Sequence, residues 1–201
     1  MAEYRGSKEY RKTLRQEILR QRRVITDETA LEAGKKIAEV LKGHPFFSSR
    51  KIVGSYISTR GEISTEPVNE FLLDNHELLL PFMDVHIRGH MDFYSFRRND
   101  PLIENRFHIL EPENKAENLV IPDAIEAMIV PTVGFDLKGN RMGMGGGYYD
   151  RILKKVSSQC LLIGIAYDFQ RMEQVPIEHW DMPLDEVITP THHYVFNRKV
   201  V

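Results

Sequence analysis

The sequence has 201 residues, a formal net charge of −2 and a mean hydropathy of −0.36, values typical of soluble globular proteins. With 42% apolar and 28% charged residues, it is not a collagenous, low-complexity or disordered chain. Its apolar runs are far shorter than the ~18 residues of a membrane-spanning helix, and the single cysteine, Cys160, excludes internal disulfide bridges and multi-cysteine metal sites.

The first predicted element is a basic helix over residues 7–23. An apolar residue occurs at every fourth position from Tyr10 to Ile18, which is the spacing of one helix face. Residues 1–23 contain eight lysines and arginines against three glutamates. This excess predicts an anionic partner, either nucleic acid or a small phosphate-bearing ligand. Because the rest of the chain is net acidic and has no basic stripe with interleaved aromatic residues, the small ligand is a strong competitor of nucleic acid.

The following segments alternate between helical and extended patterns. A second helix is predicted from Thr26 to the turn at Gly43, and a third begins at Ser64. Strands are predicted over residues 51–57, 78–82, 91–96, 125–131, 160–166 and 186–189, and a further helix over residues 148–156. Residues 99–122 are predicted to form a long loop. This order predicts one three-layer α/β/α domain, residues 1–201, with a mostly parallel, Rossmann-like central sheet and ligands at the carboxyl ends of its strands.

Glycines are concentrated between a predicted strand and a predicted helix. Four of the five residues from Gly143 to Gly147 are glycine. Backbone N–H groups and the dipole of the following helix make such a loop an anion site, although a plain tight turn has a similar composition. The P-loop and dinucleotide-binding patterns are both absent. Asp150, in the turn that follows, suits a magnesium ligand or a helix-dipole partner, and Arg141 suits a phosphate contact or a solvated loop charge.

The segment 131–151 also contains a longer and more specific pattern. Its members are Gly134-Phe-Asp136, Gly139-Asn-Arg141, Gly143, Gly145 and Gly147-Tyr-Tyr-Asp-Arg151. This pattern resembles the signature of the 5-formyltetrahydrofolate cyclo-ligases, also called 5,10-methenyltetrahydrofolate synthetases. The similarity continues in the Glu62-Ile63 pair and in the tail from Val175 to Val187, so it covers nearly the whole chain.

The resemblance implies an ATP- and Mg²⁺-dependent ring closure of 5-formyltetrahydrofolate to 5,10-methenyltetrahydrofolate, with release of ADP and phosphate. In the family mechanism the formyl oxygen is phosphorylated, N10 attacks the activated carbon, and phosphate leaves. Phosphoryl transfer of this kind needs N–H donors, cationic side chains and a metal ion rather than a covalent nucleophile. The composition of the glycine-rich segment agrees with that requirement.

The resemblance also assigns residues by their position. ATP would be bound by Arg11, Lys12, Arg15, Arg141, Met142, Gly143, Met144, Gly145, Gly146, Gly147, Tyr148 and Tyr149. The folate would be bound by Ile57, Glu62, Phe107, Met144, Gly145, Gly146, Gly147 and Tyr148. Mg²⁺ would be held by Asp150 and Asp181, and the catalytic residues would be Arg141, Tyr148 and Asp150. Glu62 suits a pterin, because a carboxylate accepts two hydrogen bonds from the amino-pyrimidine edge.

The chain departs from the family pattern in its glycine-rich loop. Many members carry lysine in place of Arg11 and basic residues in place of Met144 and Gly146, so the phosphates would depend more on backbone N–H groups, Arg15 and Arg141.

We expect small-molecule substrates as the partners, without nucleic acid or membrane, and a monomeric cytoplasmic protein, since the charged opening segment is unlike a secretion signal. Two alternatives stay open: a nucleotide- or sugar-phosphate-binding enzyme that shares only the fold, and a nucleic-acid-binding or regulatory protein that uses the basic first helix.

Overall fold

The computed structural model describes residues 8–59, 61–84, 86–87, 89–106 and 108–197. The α-helices are α1 (Lys8–Arg22), α2 (Asp27–Lys42), α3 (Glu66–Asn75) and α4 (Tyr148–Ile152). The strands are β1 (Ile52–Gly54), β2 (Glu77–Met83), β3 (Met91–Ser95), β4 (Leu102–Glu104), β5 (Leu110–Pro112), β6 (Leu119–Val120), β7 (Ala127–Pro131), β8 (Gly134–Phe135), β9 (Arg141–Met142), β10 (Leu161–Ile165), β11 (Glu186–Ile188) and β12 (His193–Val195).

In the described part of the chain, eight of these strands form one sheet in the order β12-β11-β10-β7-β1-β2-β3-β6. The pairs from β11 to β2 are all parallel. The edge strands β12, β3 and β6 are antiparallel to their neighbours. The predicted α/β class with a mostly parallel central sheet is therefore confirmed.

Alternating apolar side chains divide the interior into two layers. In β7, Ala127 and Ile129 pack on one face with Ile37 and Leu41 of α2, whereas the neighbouring Met128 packs on the other face with residues that follow α4. The same alternation occurs in β2 and β10, as expected of strands buried on both faces. The sheet is thus the middle of three layers, with α2 and α3 on one side and α4 on the other.

The second helix follows the predicted capping chemistry. The side chain of Thr26 accepts the N–H of Thr29 at 3.1 Å, and the helix ends at Gly43. In the middle of the helix, Gly34 touches the backbone at Ser64: a Cβ atom on Gly34 would lie 2.1 Å from the Ser64 carbonyl oxygen. The segment between β1 and α3 is therefore held directly against α2.

Several predicted boundaries differ from the structure. The strand predicted over residues 51–57 is confined to β1, because Tyr56 and Ile57 lie beyond the sheet and line a cleft. The helix predicted over residues 148–156 ends at Ile152, since the chain then turns through an i to i+3 hydrogen bond from Lys155 N–H to the Ile152 carbonyl at 2.8 Å.

The segment 99–122 is not the structureless loop that the sequence predicts. It contains the hairpin β4–β5 and the edge strand β6, which pairs with β3. These strands are three, three and two residues long. Such short strands carry too few residues for an alternating pattern to be recognised.

Within the described ranges, none of the helices combines the length and the apolar character that a bilayer-spanning segment requires.

Candidate functional site

A cleft of about 260 Å³ lies at the carboxyl ends of β1, β2 and β7. From β1 the chain moves on to β2 on one side, and from β7 it moves on to β10 on the other side, so the strand order reverses between β1 and β7. Ligands of open α/β sheets bind at this kind of reversal point, beyond the carboxyl ends of the strands. A cleft is therefore present at the carboxyl ends of the strands, where the sequence predicts the ligands to bind.

The hairpin β8–β9, which follows β7, is organised by the buried carboxylate of Asp136. Its Oδ1 accepts the N–H groups of Lys138 and Asn140 at 2.9 and 3.1 Å, and its Oδ2 accepts from the Asn140 side chain and from Val175 N–H at 2.9 and 3.0 Å. Gly139 closes the turn with a φ of +81°. Asp136, Gly139 and Asn140 thus fix the hairpin and thereby place Arg141 at the cleft.

The glycine-rich loop between β9 and α4 lies along one wall of the cleft. Gly145 and Gly147 have φ values of +93° and +71°, which side-chain-bearing residues rarely adopt. Arg15 donates from Nε to the Gly143 carbonyl at 2.8 Å, and Arg151 donates from Nη1 to the Gly146 and Gly147 carbonyls at 3.2 and 3.0 Å. The two arginines thus hold carbonyl oxygens of the loop from opposite ends.

Arg141 and Asp150 form an ion pair in the wall of the cleft, with the Arg141 side chain almost fully buried. Within the described part of the chain, the Arg141 Nε and the Tyr149 hydroxyl are buried and have no hydrogen-bond partner. Burial, together with the charge of Glu62, raises the pKa of Tyr149 far above its usual value, so its hydroxyl keeps its proton. Buried polar groups in proteins normally have hydrogen-bond partners, so we expect a polar ligand to bind near these two donors.

The first helix contributes two more arginines beside the loop. Arg11 donates from Nη1 to Asp181 Oδ2 at 2.7 Å, and the same oxygen accepts Glu178 N–H at 2.9 Å. Burial and then the charge of the neighbouring Arg11 lower the pKa of Arg15. Positive charge is therefore concentrated where the loop and α1 meet.

The opposite wall carries the pair Arg22 and Glu62. Their closest atoms, Arg22 Nη2 and Glu62 Oε1, are 3.2 Å apart, and Glu62 Oε2 accepts Thr59 N–H at 2.9 Å. Burial raises the pKa of Tyr167 to about 12, and the charges of Arg22 and Glu62 act on it in opposite directions. Tyr56, a further aromatic residue of this wall, is also buried.

The structure brings most of the predicted site residues to the cleft wall. Those present are Ile57, Glu62, Arg141, Gly143, Met144, Gly145, Gly146, Gly147, Tyr148, Tyr149 and Asp150. Arg11, Arg15 and Asp181 lie beside the wall through the contacts given above. Phe107, predicted to stack on the folate, lies outside the described residues.

Two predicted ATP contacts have other surroundings. Lys12 is 60% exposed and lies 3.7 Å from Glu9 on the same helix. Met142 is fully buried and packs with Ile18 and Val133 beneath the loop. In this arrangement Met142 supports the base of the loop and does not line the cleft.

Sequence reasoning did not single out Arg22 as a site residue. The signal was present in the spacing, because residues 11, 15 and 22 are separated by four and seven positions and share one helix face. The partner of Arg22 is visible only in the folded chain, because Glu62 reaches it when the chain folds back after β1.

A separate cluster of His44, Glu186 and His193 lies at the amino end of β11, away from the cleft. Its potential ligand atoms are all within 4.8 Å of one another. However, His44 Nδ1 accepts Phe46 N–H at 3.2 Å, so in the neutral ring Nε2 carries the proton and points at Glu186. The three side chains therefore form a hydrogen-bonded cluster rather than a ready metal site.

Comparisons with known proteins agree with the geometry. The chain is 32% identical to the 5-formyltetrahydrofolate cyclo-ligase of Escherichia coli K12 over 176 residues, which cover 87% of this chain and 97% of that protein. It is 35% identical to the protein of the same name from Haemophilus influenzae over 140 residues, which cover 69% and 75% of the two chains.

The fold is likewise similar to solved structures. The NMR structure of Aquifex aeolicus 5,10-methenyltetrahydrofolate synthetase superposes with a TM-score of 0.81 and 32% identity, covering 95% of both chains. The profile of the 5-formyltetrahydrofolate cyclo-ligase family matches residues 7–190. The resemblance seen in the sequence is confirmed, and the chain belongs to the 5-formyltetrahydrofolate cyclo-ligase family.

Proposed function

We propose that this enzyme closes the ring of 5-formyltetrahydrofolate to give 5,10-methenyltetrahydrofolate, using ATP and Mg²⁺, within a single domain of residues 1–201. The observation that carries the proposal is the cleft itself. A glycine-rich wall that carries Arg141 faces a wall that carries one carboxylate, Glu62, near the aromatic ring of Tyr56. One wall suits an anionic phosphate chain, and the other suits a flat ring with hydrogen-bond donors at its edge.

The phosphate wall provides charge and donors without a nucleophile. Arg141 and Arg15 are cations at the loop, and the two glycines with positive φ allow the backbone to approach a ligand closely. Asp150 and Asp181 offer the oxygen ligands that Mg²⁺ prefers, each beside an arginine that suits a phosphate. The donor set therefore fits a phosphate chain together with its metal ion.

ATP and Mg²⁺ bound there would supply the phosphoryl group that turns the formyl oxygen into a leaving group, and would neutralise the charge of its transfer. The chain's own part is to bind and orient. Glu62 accepts hydrogen bonds from the pterin edge, and Ile57 supplies apolar contact beside it. Tyr148 and Tyr149, which also line the cleft, restrict access of water to the reacting groups.

The arginines of α1 also bear on the nucleic-acid alternative. Arg11, Arg15 and Arg22 meet Asp181, the Gly143 carbonyl and Glu62 inside the molecule. Side chains committed to interior partners do not present an outward basic stripe to a polyanion. This placement supports the small-molecule function.

The test is a spectrophotometric assay of methenyl product with 5-formyltetrahydrofolate, Mg²⁺ and ATP, run with and without ATP. We expect ATP-dependent product from the wild type. Asp150→Asn and Arg141→Met should lower kcat/KM by more than about a hundredfold, since each removes a group that acts on the transferring phosphoryl group. Lys154→Ala, an exposed cation just beyond α4, should retain wild-type activity.

Thermal unfolding of each variant shows whether the loss reflects chemistry or folding. A wild type that binds ATP but forms no methenyl product would contradict the proposal and favour a fold-sharing enzyme with another substrate. Full activity of the Asp150→Asn variant would leave the cyclo-ligase function in place but would contradict the metal assignment.

A further inference from the structure

Arg22, the last residue of α1, is a buried cation in the wall of the cleft. Only 2% of its side chain is exposed. Burying a guanidinium group sacrifices most of its hydration, and an interior ion pair seldom contributes more stability than apolar residues of equal volume. Packing alone therefore does not explain an arginine at this position, whereas a need for positive charge beside the ligand does.

The contacts of Arg22 converge on one short turn. Nη2 lies 3.2 Å from Glu62 Oε1 and donates to the Thr59 carbonyl at 3.3 Å. Thr59 N–H in turn donates to Glu62 Oε2 at 2.9 Å. Arg22 thus contacts both ends of the turn that presents the Glu62 carboxylate to the cleft.

The backbone shows the same close fit. Gly61, inside the turn, has a φ of +70°, and a Cβ atom there would lie 2.3 Å from the Arg22 carbonyl oxygen. The turn therefore lies directly on the end of α1. A carboxylate has about four acceptor positions, and the contacts from Arg22 and Thr59 leave Glu62 with positions for a ligand.

We propose that Arg22 is a positioning residue for folate recognition, which holds the Glu62 carboxylate in one orientation and balances its charge while Glu62 binds the amino-pyrimidine edge of the pterin. The inference rests on the proposed function, because it takes Glu62 as the folate-binding carboxylate. Arg22 acts through Glu62, so its removal should affect the folate and leave the nucleotide unaffected.

The test measures the Kd of 5-formyltetrahydrofolate by calorimetry without ATP, and KM and kcat with ATP. Arg22→Met, which keeps the length of the side chain, should weaken folate binding by at least about tenfold, with the KM for ATP changed by less than about twofold. Arg22→Lys restores one charge and should recover part of the affinity. Arg20→Met, an exposed cation of the same helix, is the matched control and should bind like the wild type.

A double-mutant cycle separates positioning from direct contact. In a Glu62→Gln background, Arg22→Met should change the folate Kd by less than about twofold, because Arg22 then has no carboxylate to hold. Additive losses would overturn the inference, and so would a folded Arg22→Met that binds folate like the wild type.

Two further outcomes are decisive. If thermal unfolding shows that Arg22→Met does not fold, Arg22→Lys decides: a single ammonium group does not span Glu62 and Thr59 as a guanidinium does, and a wild-type Kd for this variant would overturn the inference. A wild type that does not bind 5-formyltetrahydrofolate would contradict the proposed function and this inference together, whereas normal wild-type binding with an unaffected Arg22→Met contradicts the inference alone.

Discussion

At the residue scale, the site is built from arginines that meet oxygen atoms of the chain itself. The pairs are Arg11 with Asp181, Arg15 with the Gly143 carbonyl, Arg22 with Glu62 and Arg141 with Asp150. A guanidinium group holds several acceptors in a fixed plane, which an ammonium group does not. The four pairs therefore hold these charged groups of the site in a fixed geometry.

Asp136 offers a test of how the hairpin supports the site. Asp136→Asn keeps the shape of the side chain but replaces one acceptor oxygen by a donor, opposite N–H groups that need acceptors. We expect a loss of about 2 kcal/mol in the free energy of unfolding. We also expect a raised KM for ATP, because the hairpin that Asp136 holds places Arg141 at the cleft. Chemical denaturation and steady-state kinetics measure the two effects. Asp123→Asn, at an exposed position, should change neither.

Glu186 provides a pH-dependent prediction away from the cleft. Burial alone raises the pKa of Glu186, but hydrogen bonds from His193 and His44 and the charges of those rings outweigh it and lower the pKa from 4.5 to about 2. A carboxyl group with a lower pKa in the folded state stabilises the fold fully above pH 4.5, and this stabilisation is lost as the pH falls towards 2. Thermal unfolding as a function of pH follows this loss.

The matching variant is Glu186→Gln. At neutral pH it should be less stable than the wild type by about 2 kcal/mol, and the difference should shrink on acidification. Glu39→Gln, which breaks an exposed pair with Lys42, is the surface control and should change the stability by less than about 0.5 kcal/mol. A difference between Glu186→Gln and wild type that stays constant down to about pH 3 would contradict the lowered pKa.

At the element scale, α2 governs the position of the folate wall through one glycine. In Gly34→Ala the new Cβ would lie 2.1 Å from the Ser64 carbonyl, so the segment that carries Glu62 must move. The clash should cost about 2 kcal/mol of stability, which is more than the gain of about 1 kcal/mol from the higher helix propensity of alanine. We therefore expect a net loss of stability together with weaker folate binding.

Gly43→Ala, at the C-cap of the same helix, is the matched control. Its φ is −86°, and the nearest atoms to a new Cβ are 3.8 Å away. Its stability should change by less than about 0.5 kcal/mol, with folate affinity as in the wild type. Equal behaviour of the two variants in denaturation and calorimetry would contradict the role given to the contact with Ser64.

Elements of different kinds were predictable to different degrees. The strands β2, β7 and β10 are apolar on both faces, and their runs are visible in the sequence. The strands β8 and β9 are two residues each, too short for a period, and are fixed by the hydrogen bonds of Asp136. Their pairing is a tertiary property that local patterns do not carry.

At the scale of the whole molecule, the two walls of the cleft come from distant segments, so ligands should stabilise the entire fold. A ligand that binds only the folded state at about 100 times its Kd adds about 2.7 kcal/mol. We expect a higher Tm with 5-formyltetrahydrofolate and, separately, with ATP and Mg²⁺. Glu62→Gln should greatly reduce the first shift and retain the second, and loss of both shifts would contradict the division of the cleft into two walls.

The site itself was only partly predictable. Glycine content and the nearby charges indicate the phosphate wall from local sequence alone. The role of Glu62 follows only from family resemblance, since an isolated glutamate after a strand looks like a solvated charge. Arg22 required the folded chain, because its partner lies 40 residues away in the sequence.

The contact between Arg11 and Asp181 joins residues 170 positions apart. Since a ribosome makes the chain from its amino end, a nascent chain that has completed β7 already contains Glu62, the partner of Arg22 at one end of the first helix, but not Asp181, the partner of Arg11 nearer the other end. The ion pair between Arg11 and Asp181 therefore forms only after translation has passed Asp181. A chain that stops before Asp181 would lack this contact, and we expect its first helix to be held through the remaining contacts of Arg15 and Arg22.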